Sequence, residues 1–121
     1  MAHGDITHID IPVTDHARAK HFYGALFGWD IVDYPGYENY PMWRAPNQIS
    51  GGGLPGRDMG MTEVTSYVEV DSIDDALAKV RANGGSVVQE KMPITDTSWS
   101  AVFEDPDGNT LALYEGETSA D

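Results

Sequence analysis

One pattern of residues occurs twice in this chain, at positions 57 residues apart. Val13 corresponds to Val70, and Gly28 corresponds to Gly85. In both copies a segment of alternating polarity comes first, then apolar residues at helical spacing, and then a glycine. A repeat of this length predicts two copies of one supersecondary unit, and neither copy buries its apolar face alone. The fold must therefore place two similar modules so that the apolar face of each is covered.

The first copy begins with a strand and continues as a capped helix. The strand alternates, and one of its faces carries Ile9, Ile11 and Val13. Its other face carries His8, Asp10 and Pro12. Asp15 stands at the N-cap position of the helix, and Gly28 offers a left-handed stop. The apolar residues between them recur every three or four positions and predict one buried helix face, made of Ala19, Phe22, Tyr23 and Leu26.

Three short strands are expected after the helix of each module. In the first module we expect them at residues 29–34, 40–44 and 48–54. In the second module we expect a first strand at 65–70 and later strands at 86–90, 99–104 and 111–115. Residues 92–97 are predicted to be a connection, and the Pro and Gly of residues 105–108 predict a tight turn.

The predicted fold class is α+β, with two β-α-β-β-β modules in tandem. We expect a single domain over residues 1–121, with module one at 5–54, a linker at 55–62, module two at 63–116 and a frayed tail at 117–121. Each helix would cover one face of the sheet in its module. The two uncovered faces can then meet as an open mixed β-barrel that contains a cleft.

Length and composition exclude several classes of protein. A chain of 121 residues is long enough for one hydrophobic core. It contains no cysteine, which excludes disulfides, thiolate metal sites and a cysteine nucleophile. No apolar run approaches the length of a membrane span, and the first seven residues lack the features of a signal peptide. We therefore expect a soluble cytoplasmic protein.

The chain is strongly acidic, with 20 acidic and 7 basic residues and a formal net charge of −13. Such a surface repels nucleic acid, so no nucleic-acid partner is expected. The charge favours solubility, in particular in a salty cytoplasm. It also fits attraction of a cationic ligand, and net charge alone does not separate these two interpretations.

The alternation of the two first strands selects candidate residues for the cleft. The side chains expected to face it from these strands are His8, Asp10, Thr65, Tyr67 and Glu69. Aromatic residues that could line its walls are Tyr40, Trp43, Trp99 and Tyr114. The glycine run at residues 51–53 has neither a following helix nor a neighbouring lysine, so we interpret it as close packing against another backbone rather than a phosphate loop.

Several motifs together resemble one protein superfamily over nearly the whole chain. They are the strand HIDIPVTD, the helix RAKHFYGALFGW, the second copy VEVDSIDDALAKVRANGG and the closing hairpin FEDPDGNTLALYE. In this order and spacing they resemble the vicinal oxygen chelate superfamily, which includes glyoxalase I, extradiol dioxygenases, fosfomycin resistance enzymes and bleomycin resistance proteins. The segment ISGGGL is similar to an uncharacterised, glyoxalase-related branch.

The resemblance implies four positions for the ligands of a divalent metal, one on the first and one on the last strand of each module. Metal-dependent members place His or Glu there, and the open coordination positions bind vicinal oxygens of the substrate. In this chain the four positions are expected at His8, Gly52, Thr65 and Ala112. Only His8 is a ligand of the expected kind, so the usual metal chemistry is not predicted.

Three functions stay open. The first is a binder of a small organic molecule, similar to bleomycin resistance proteins, in which Asp10 and Glu69 attract a cation. The second is a glyoxalase-like lyase, isomerase or dioxygenase with a relocated metal ion, bound by His8 together with Asp10 and Glu69. The third is a metal-free enzyme with His8 as general base and Tyr67 as the group that polarises the substrate. No cofactor is assigned, a divalent metal stays open, and the resemblance implies a homodimer.

Overall fold

The computed structural model describes residues 3–37 and 39–116, and these contain eight strands and two α-helices. The elements in chain order are β1 (Ile6–Asp10), α1 (His16–Phe27), β2 (Asp30–Val32), β3 (Met42–Arg44), β4 (Gly51–Gly53), β5 (Thr65–Glu69), α2 (Ile73–Ala82), β6 (Ser86–Thr95), β7 (Ser98–Glu104) and β8 (Thr110–Gly116). A short 3₁₀ helix, Arg57–Met59, lies between β4 and β5. The predicted α+β class with two β-α-β-β-β modules is confirmed. The tail predicted at 117–121 lies outside the described residues.

The chain forms two compact units. The N-terminal unit is His8–Val64, and the C-terminal unit combines residues 3–7 with residues 65–116. The first residues belong to the C-terminal unit because the Gly4 N–H donates to the Glu69 carbonyl at 2.7 Å, and the Glu69 N–H donates to the Asp5 carbonyl at 2.8 Å. The limits predicted for the modules and for a single domain stay predictions.

The sheet of the N-terminal unit has the strand order β2-β3-β4-β1. β1 runs parallel to β4, with Ile9 opposite Gly52 and Asp10 opposite Gly53, and the other two pairs are antiparallel. β4 is shorter than predicted, because only its three glycines pair with neighbouring strands. The core between this sheet and α1 is formed by Ala19, Trp43, Ala45 and Leu54, with Ile9, Ile11, Val13, Tyr23, Trp29 and Ile31 packed against them.

The sheet of the C-terminal unit has the order β5-β8-β7-β6, again with one parallel pair, β5 with β8. Its core is formed by Val70, Ile73, Leu77, Ala101 and Leu113. The prediction of a connection at residues 92–97 is wrong for most of that segment. β6 continues to Thr95 and pairs with β7 through three register shifts, so only Asp96 and Thr97 remain for the turn. Irregular pairing of this kind leaves no clean alternation in the sequence.

Helix α1 begins and ends as predicted. Asp15 accepts a hydrogen bond from the Arg18 N–H at 3.0 Å, and Gly28 adopts a left-handed φ of 71°. The prediction of its buried face is wrong in part. Ala19 is buried, but Phe22 is 56% exposed and Leu26 is 57% exposed, so both point to solvent.

Helix α2 begins at a serine cap, since Ser72 Oγ accepts from the Asp75 N–H at 3.2 Å. The left-handed glycine after it is Gly84, with φ of 92°, and not Gly85 as the repeat predicts. Within residues 3–37 and 39–116, neither helix is long and apolar enough to cross a membrane.

Candidate functional site

The polar residues of β1 form a hydrogen-bonded group with a tyrosine that precedes β3. His8 Nε2 lies 2.7 Å from Asp10 Oδ1 and 2.6 Å from the Tyr40 hydroxyl. The Tyr40 hydroxyl donates to the same Asp10 oxygen at 2.5 Å. We call His8, Asp10 and Tyr40 the polar cluster. It joins two residues that the sequence selects by alternation to a third residue from a distant part of the chain.

The members of the polar cluster differ in their access to solvent. The Asp10 side chain is 2% exposed, whereas 28% of the His8 side chain is exposed. Burial of a carboxylate is costly unless hydrogen bonds satisfy it, and His8 and Tyr40 supply them. An ionised carboxylate only accepts hydrogen bonds, so the proton in the His8 contact is assigned to Nε2. Asp10 thus fixes the tautomer and orientation of an accessible imidazole.

This burial bears on the expected role of Asp10. A carboxylate that is covered and bonded within its own unit has little surface with which to attract a cationic ligand. Asp10 is better described as the residue that positions His8. Glu69, the other acidic residue expected to attract a cation, is 9% exposed in the C-terminal unit.

Gly53 explains why Tyr40 reaches Asp10. The register of β1 and β4 puts Gly53 opposite Asp10. A Cβ atom on Gly53 would lie 2.4 Å from Cζ of the Tyr40 ring, far inside van der Waals contact. The missing side chain therefore provides the space through which the ring approaches the carboxylate.

Gly52 likewise leaves room for a close contact, on the opposite face of β4. Its Cβ would lie 1.8 Å from the Ile9 carbonyl oxygen and 2.7 Å from Trp43 Nε1. That indole nitrogen donates to the Ile9 carbonyl at 3.1 Å, across the place where a side chain would stand. The interpretation of the glycine run as close packing against a neighbouring backbone is confirmed.

The tryptophans expected in a cleft lie on the helix side of their sheets. Trp43 is 5% exposed and stacks on Trp29 with ring centroids 3.7 Å apart, within the core beneath α1. This corrects its expected place, because a buried indole has almost no surface left for a ligand. Trp99 packs against the core beneath α2, and Lys91 Nζ lies 4.8 Å from the centroid of its ring.

The remaining predicted residues lie on one face of the C-terminal sheet. Tyr67 is opposite Ala112, and Glu69 is opposite Tyr114, in the parallel pair of β5 and β8. Alternation along β5 places Thr65 on this face as well. An open cavity of about 370 Å³ in the same unit is lined by Glu69, Trp99, Asp71, Asp96, Glu115 and neighbouring residues. Of the predicted residues, Glu69 and Trp99 line this cavity, and a shared ligand-binding role for the whole set stays a prediction.

The register corrects one of the four positions implied for a metal. Asp10 and Tyr67 correspond in the 57-residue repeat, and the residues opposite them are Gly53 and Ala112. The counterpart of Ala112 is therefore Gly53 and not Gly52, whose missing side chain would point toward Trp43. Because the run consists of identical glycines, no alternation in the sequence shows which of them shares a sheet face with Asp10.

The residues present do not fit the divalent metal that the resemblance implies. The four corrected positions are held by His8, Gly53, Thr65 and Ala112. Two of them have no donor atom, and a threonine hydroxyl is a weak ligand compared with imidazole or carboxylate. Across residues 3–37 and 39–116, no three His, Asp or Glu side chains are grouped so that they could hold a metal ion. A lone imidazole that is already bonded to Asp10 does not replace the four ligands of such a metal site.

Sequence reasoning missed the part that Tyr40 plays in this site. It considered Tyr40 only as an aromatic wall, because 30 residues separate it from Asp10. The glycine run was the available signal, since glycine beside a polar strand position leaves room for a large ring. His16 on α1 is half-buried, and its Nε2 lies 3.0 Å from the Leu54 carbonyl oxygen.

Known proteins with similar sequences and folds were found over most of the chain. CFP32 of Mycobacterium tuberculosis is 31% identical over 114 residues, which cover 88% of this chain and 44% of that protein. A glyoxylase-like domain-containing protein of Didymella fabae is 28% identical over 122 residues, covering 93% of this chain and 94% of that protein. This chain therefore spans less than half of the length of CFP32.

Solved structures and a family model agree with these relatives. The crystal structure of methylmalonyl-CoA epimerase from Mycobacterium tuberculosis matches with a TM-score of 0.70 at 17% identity, covering 97% of this chain and 90% of that one. At this identity the likeness concerns the fold alone. The family model described as Glyoxalase/Bleomycin resistance protein/Dioxygenase superfamily matches residues 5–113. The chain thus belongs to the glyoxalase, bleomycin resistance protein and dioxygenase superfamily.

Proposed function

We propose that this protein binds a small organic molecule through the His8 imidazole, without the four-ligand metal site of its metal-dependent relatives. The observation that carries the proposal is the polar cluster, in which a buried Asp10 orients a partly exposed His8. An imidazole held in one tautomer has one defined donor nitrogen and one defined acceptor nitrogen. Binding sites commonly combine a few such fixed polar groups with apolar walls.

The donor set supports a mode of binding that needs no metal. Gly53 and Ala112 hold two of the four positions that the resemblance implies for metal ligands, and neither side chain carries a donor atom. His8 Nε2 is engaged by Asp10, so its coordination to a metal through that atom would break a bond that satisfies a buried carboxylate.

The metal content of the protein tests the first half of this proposal. Purified protein is soaked in nickel, zinc, manganese or ferrous iron, desalted, and analysed by plasma mass spectrometry. His8→Ala removes the candidate ligand, and His21→Ala is the matched control because His21 is an exposed histidine on α1. We expect no stoichiometric metal in any of the three proteins. Stoichiometric metal that is lost only in His8→Ala would overturn the proposal and favour the enzyme with a relocated metal.

The second half of the proposal, binding of a small molecule through His8, is tested by NMR. Benzylammonium, benzyl alcohol and benzoate are probes of similar shape and different charge, and ¹⁵N spectra of the histidine rings report their binding. We expect at least one probe to shift the His8 signals in the parent protein and in His21→Ala. Shifts confined to other histidines, or none with any probe at saturating solubility, would contradict binding through His8.

A metal-free enzyme is the second candidate, and the carboxylate–imidazole contact of 2.7 Å favours it. In this version His8 is the general base, positioned by Asp10. The phenol in contact with His8 is Tyr40, at 2.6 Å, and its hydroxyl proton is already donated to Asp10. Turnover of a substrate in the presence of a chelator, lost in Asp10→Asn, would distinguish this enzyme from a binding protein.

A further inference from the structure

Helix α2 ends at an asparagine that is followed directly by a glycine. Asn83 is exposed, and Gly84 after it has the left-handed φ of 92°. Asn83 Nδ2 donates to the Lys79 carbonyl at 2.8 Å, and the Asn83 N–H donates to the same carbonyl at 3.0 Å. The side-chain amide thus closes the last turn of the helix, where backbone carbonyls lack partners within the helix itself.

The amide of an asparagine also reacts with the backbone nitrogen of the next residue. That nitrogen loses its proton and attacks Cγ, the new N–Cγ bond closes a succinimide ring, and Nδ2 takes up the proton and leaves as ammonia. Water then opens the ring at either of its two carbonyls, which gives aspartate or isoaspartate. The reaction consumes only water. Glycine as the next residue favours it, because the missing Cβ leaves the nitrogen accessible and the backbone free to turn.

The chain has four asparagines, and only Asn83 precedes a glycine. The other three precede residues with a Cβ atom, and they are Asn39, Asn47 and Asn109. The side chain of Asn109 donates to the Asp105 carboxylate at 3.0 Å, and that of Asn39 donates to the Asp58 carboxylate at 2.7 Å. These three asparagines therefore serve as comparisons within the same protein.

The Gly84 nitrogen, which is the attacking atom, donates to no backbone carbonyl of residues 3–37 and 39–116. The N–H groups on either side of it differ in this respect. Those of Asn83 and Gly85 both donate to the Val80 carbonyl, at 3.3 and 2.9 Å. The nitrogen of Gly84 can therefore attack without first breaking a bond within the backbone.

The single Asp–Gly pair of the chain, Asp107 with Gly108, lacks these conditions. The Gly108 N–H donates to the Asp105 carbonyl at 3.0 Å. A carboxylate is also less reactive toward a nucleophile than an amide, because it carries a negative charge. The arrangement that favours succinimide formation thus belongs to Asn83 and Gly84.

We propose that Asn83 is a site of spontaneous deamidation, and that the hydrogen bond from its side chain to the Lys79 carbonyl limits the rate. While that bond is formed, the amide is directed toward the preceding turn of the helix. The ends of helices open at a small cost in free energy compared with global unfolding. Each opening of the last turn of α2 releases the amide and exposes its Cγ to the nitrogen of Gly84.

Either product weakens the end of α2. A carboxylate cannot donate to the Lys79 carbonyl, and its negative charge is unfavourable at the C-terminal end of a helix dipole. Isoaspartate also adds one atom to the backbone close to a tightly packed residue, since a Cβ on Gly85 would lie 2.7 Å from the Glu104 carbonyl oxygen. The modification thus loosens the connection between α2 and β6, and it adds negative charge to a chain whose net charge is already −13.

Incubation of the full chain in buffer and in urea, followed by peptide mapping with mass spectrometry, tests the proposal. Electron-transfer fragmentation distinguishes isoaspartate from aspartate. In buffer we expect Asn83 to be converted roughly tenfold faster than each of the other three asparagines. In urea its conversion should be faster still, because no helix holds the side chain. If Asn83 is converted no faster than the other asparagines in buffer, the site is wrong. Equal rates for Asn83 in buffer and in urea would show that α2 does not limit the reaction.

A variant that weakens the end of α2 tests whether opening of this turn limits the rate. Ala82→Gly lowers the helix propensity of the exposed residue before Asn83, and it should raise the rate in buffer roughly fivefold. Its rate in urea should equal that of the parent protein. Ala25→Gly, at an exposed position of α1, is the matched control and should leave the rate unchanged.

Circular dichroism verifies that both variants are folded. An unchanged rate in Ala82→Gly would overturn the role of the helix end. An equal rise in both variants would also overturn it, because the reaction would then follow unfolding of the whole chain rather than opening of α2.

Discussion

The phenol ring of Tyr40 lies directly beside the α-carbon of Gly53, in the space that a side chain at that position would occupy. A Cβ there would be 2.4 Å from Cζ and 2.6 Å from the hydroxyl oxygen. Because the same hydroxyl donates to the buried Asp10 carboxylate, one missing side chain on β4 permits the bond that stabilises the polar cluster. The glycine run is thereby tied to the candidate site.

Gly53→Ala should destabilise the protein by about 1–3 kcal/mol, because the added methyl group forces the Tyr40 ring away from Asp10. Urea unfolding measures the loss. Gly24→Ala is the matched control in the same unit. A Cβ on Gly24 meets its nearest neighbour, the Trp29 carbonyl oxygen, at an ordinary 3.8 Å. Alanine favours the helix, so this control should be neutral or stabilise by up to about 1 kcal/mol. A Gly53→Ala protein as stable as the parent would contradict the described contact.

Tyr40→Phe should cost about 1.5–3 kcal/mol of unfolding free energy, since it removes a hydrogen bond to a buried charged group. Combined with Gly53→Ala it should cost less than the sum of the two single losses, because both changes break the same bond. Urea unfolding of the four proteins in the cycle gives the coupling directly. Strict additivity would show that Gly53 acts through some other contact.

His8→Ala should leave the fold intact and lower the free energy of unfolding by less than Tyr40→Phe does. His8 also donates to Asp10, but its side chain is 28% exposed, so water can replace the imidazole beside the carboxylate. Thermal melting of both variants at one pH makes the comparison. A larger loss for His8→Ala would show that the residue is chiefly structural, and would weaken its assignment as the ligand contact.

Asp105 makes the turn between β7 and β8 sensitive to acid. The Asn109 side-chain amide, together with backbone N–H groups of the turn, holds the pKa of Asp105 below its ordinary value of 3.8. Its carboxylate therefore stabilises the folded turn fully above the ordinary pKa, and this contribution is lost as the pH falls through the lower folded pKa. A carboxyl NMR titration should find this lowered pKa.

Asn109→Ala should move the pKa of Asp105 back toward 3.8, because it removes the amide that is the largest cause of the shift. Asn83→Ala, at the end of α2, is a control that should leave the titration of Asp105 unchanged. An Asp105 pKa that is the same in the parent protein and in Asn109→Ala would refute the described hydrogen bond.

Added sodium chloride should raise the melting temperature. Residues 1–7 and 65–121 contain thirteen acidic and three basic residues, so this part of the chain carries most of the self-repulsion. Salt screens repulsion between surface charges and so favours the compact state. Asp96→Asn/Asp107→Asn, which neutralises two exposed charges, should melt higher at low salt and depend less on salt. A melting temperature that falls as salt is added would show that attraction between oppositely charged surface residues outweighs the repulsion.

The sequence by itself determined the features that depend on neighbouring residues. Alternation places β1 and β5, and side-chain caps begin both helices at Asp15 and Ser72. The turn at residues 105–108 follows from its Asp, Pro and Gly. Recurrence of this local order predicts the two modules and, through the motifs, the superfamily. These features survive in the fold because local hydrogen bonds and backbone preferences agree with the tertiary structure.

Tertiary structure alone decided which of several locally acceptable arrangements is used. The spacing of Phe22 and Leu26 fits a buried helix face, yet the sheet covers the side of α1 that holds Ala19 and Tyr23. The parity of Gly52 and Gly53 also depends on the register with β1, because glycine carries no side chain that marks a face. The polar cluster follows from that register: only when Gly53 lies opposite Asp10 does a tyrosine 30 residues away find room to reach the carboxylate. Contacts of this kind arise from packing between distant segments, which no local pattern records.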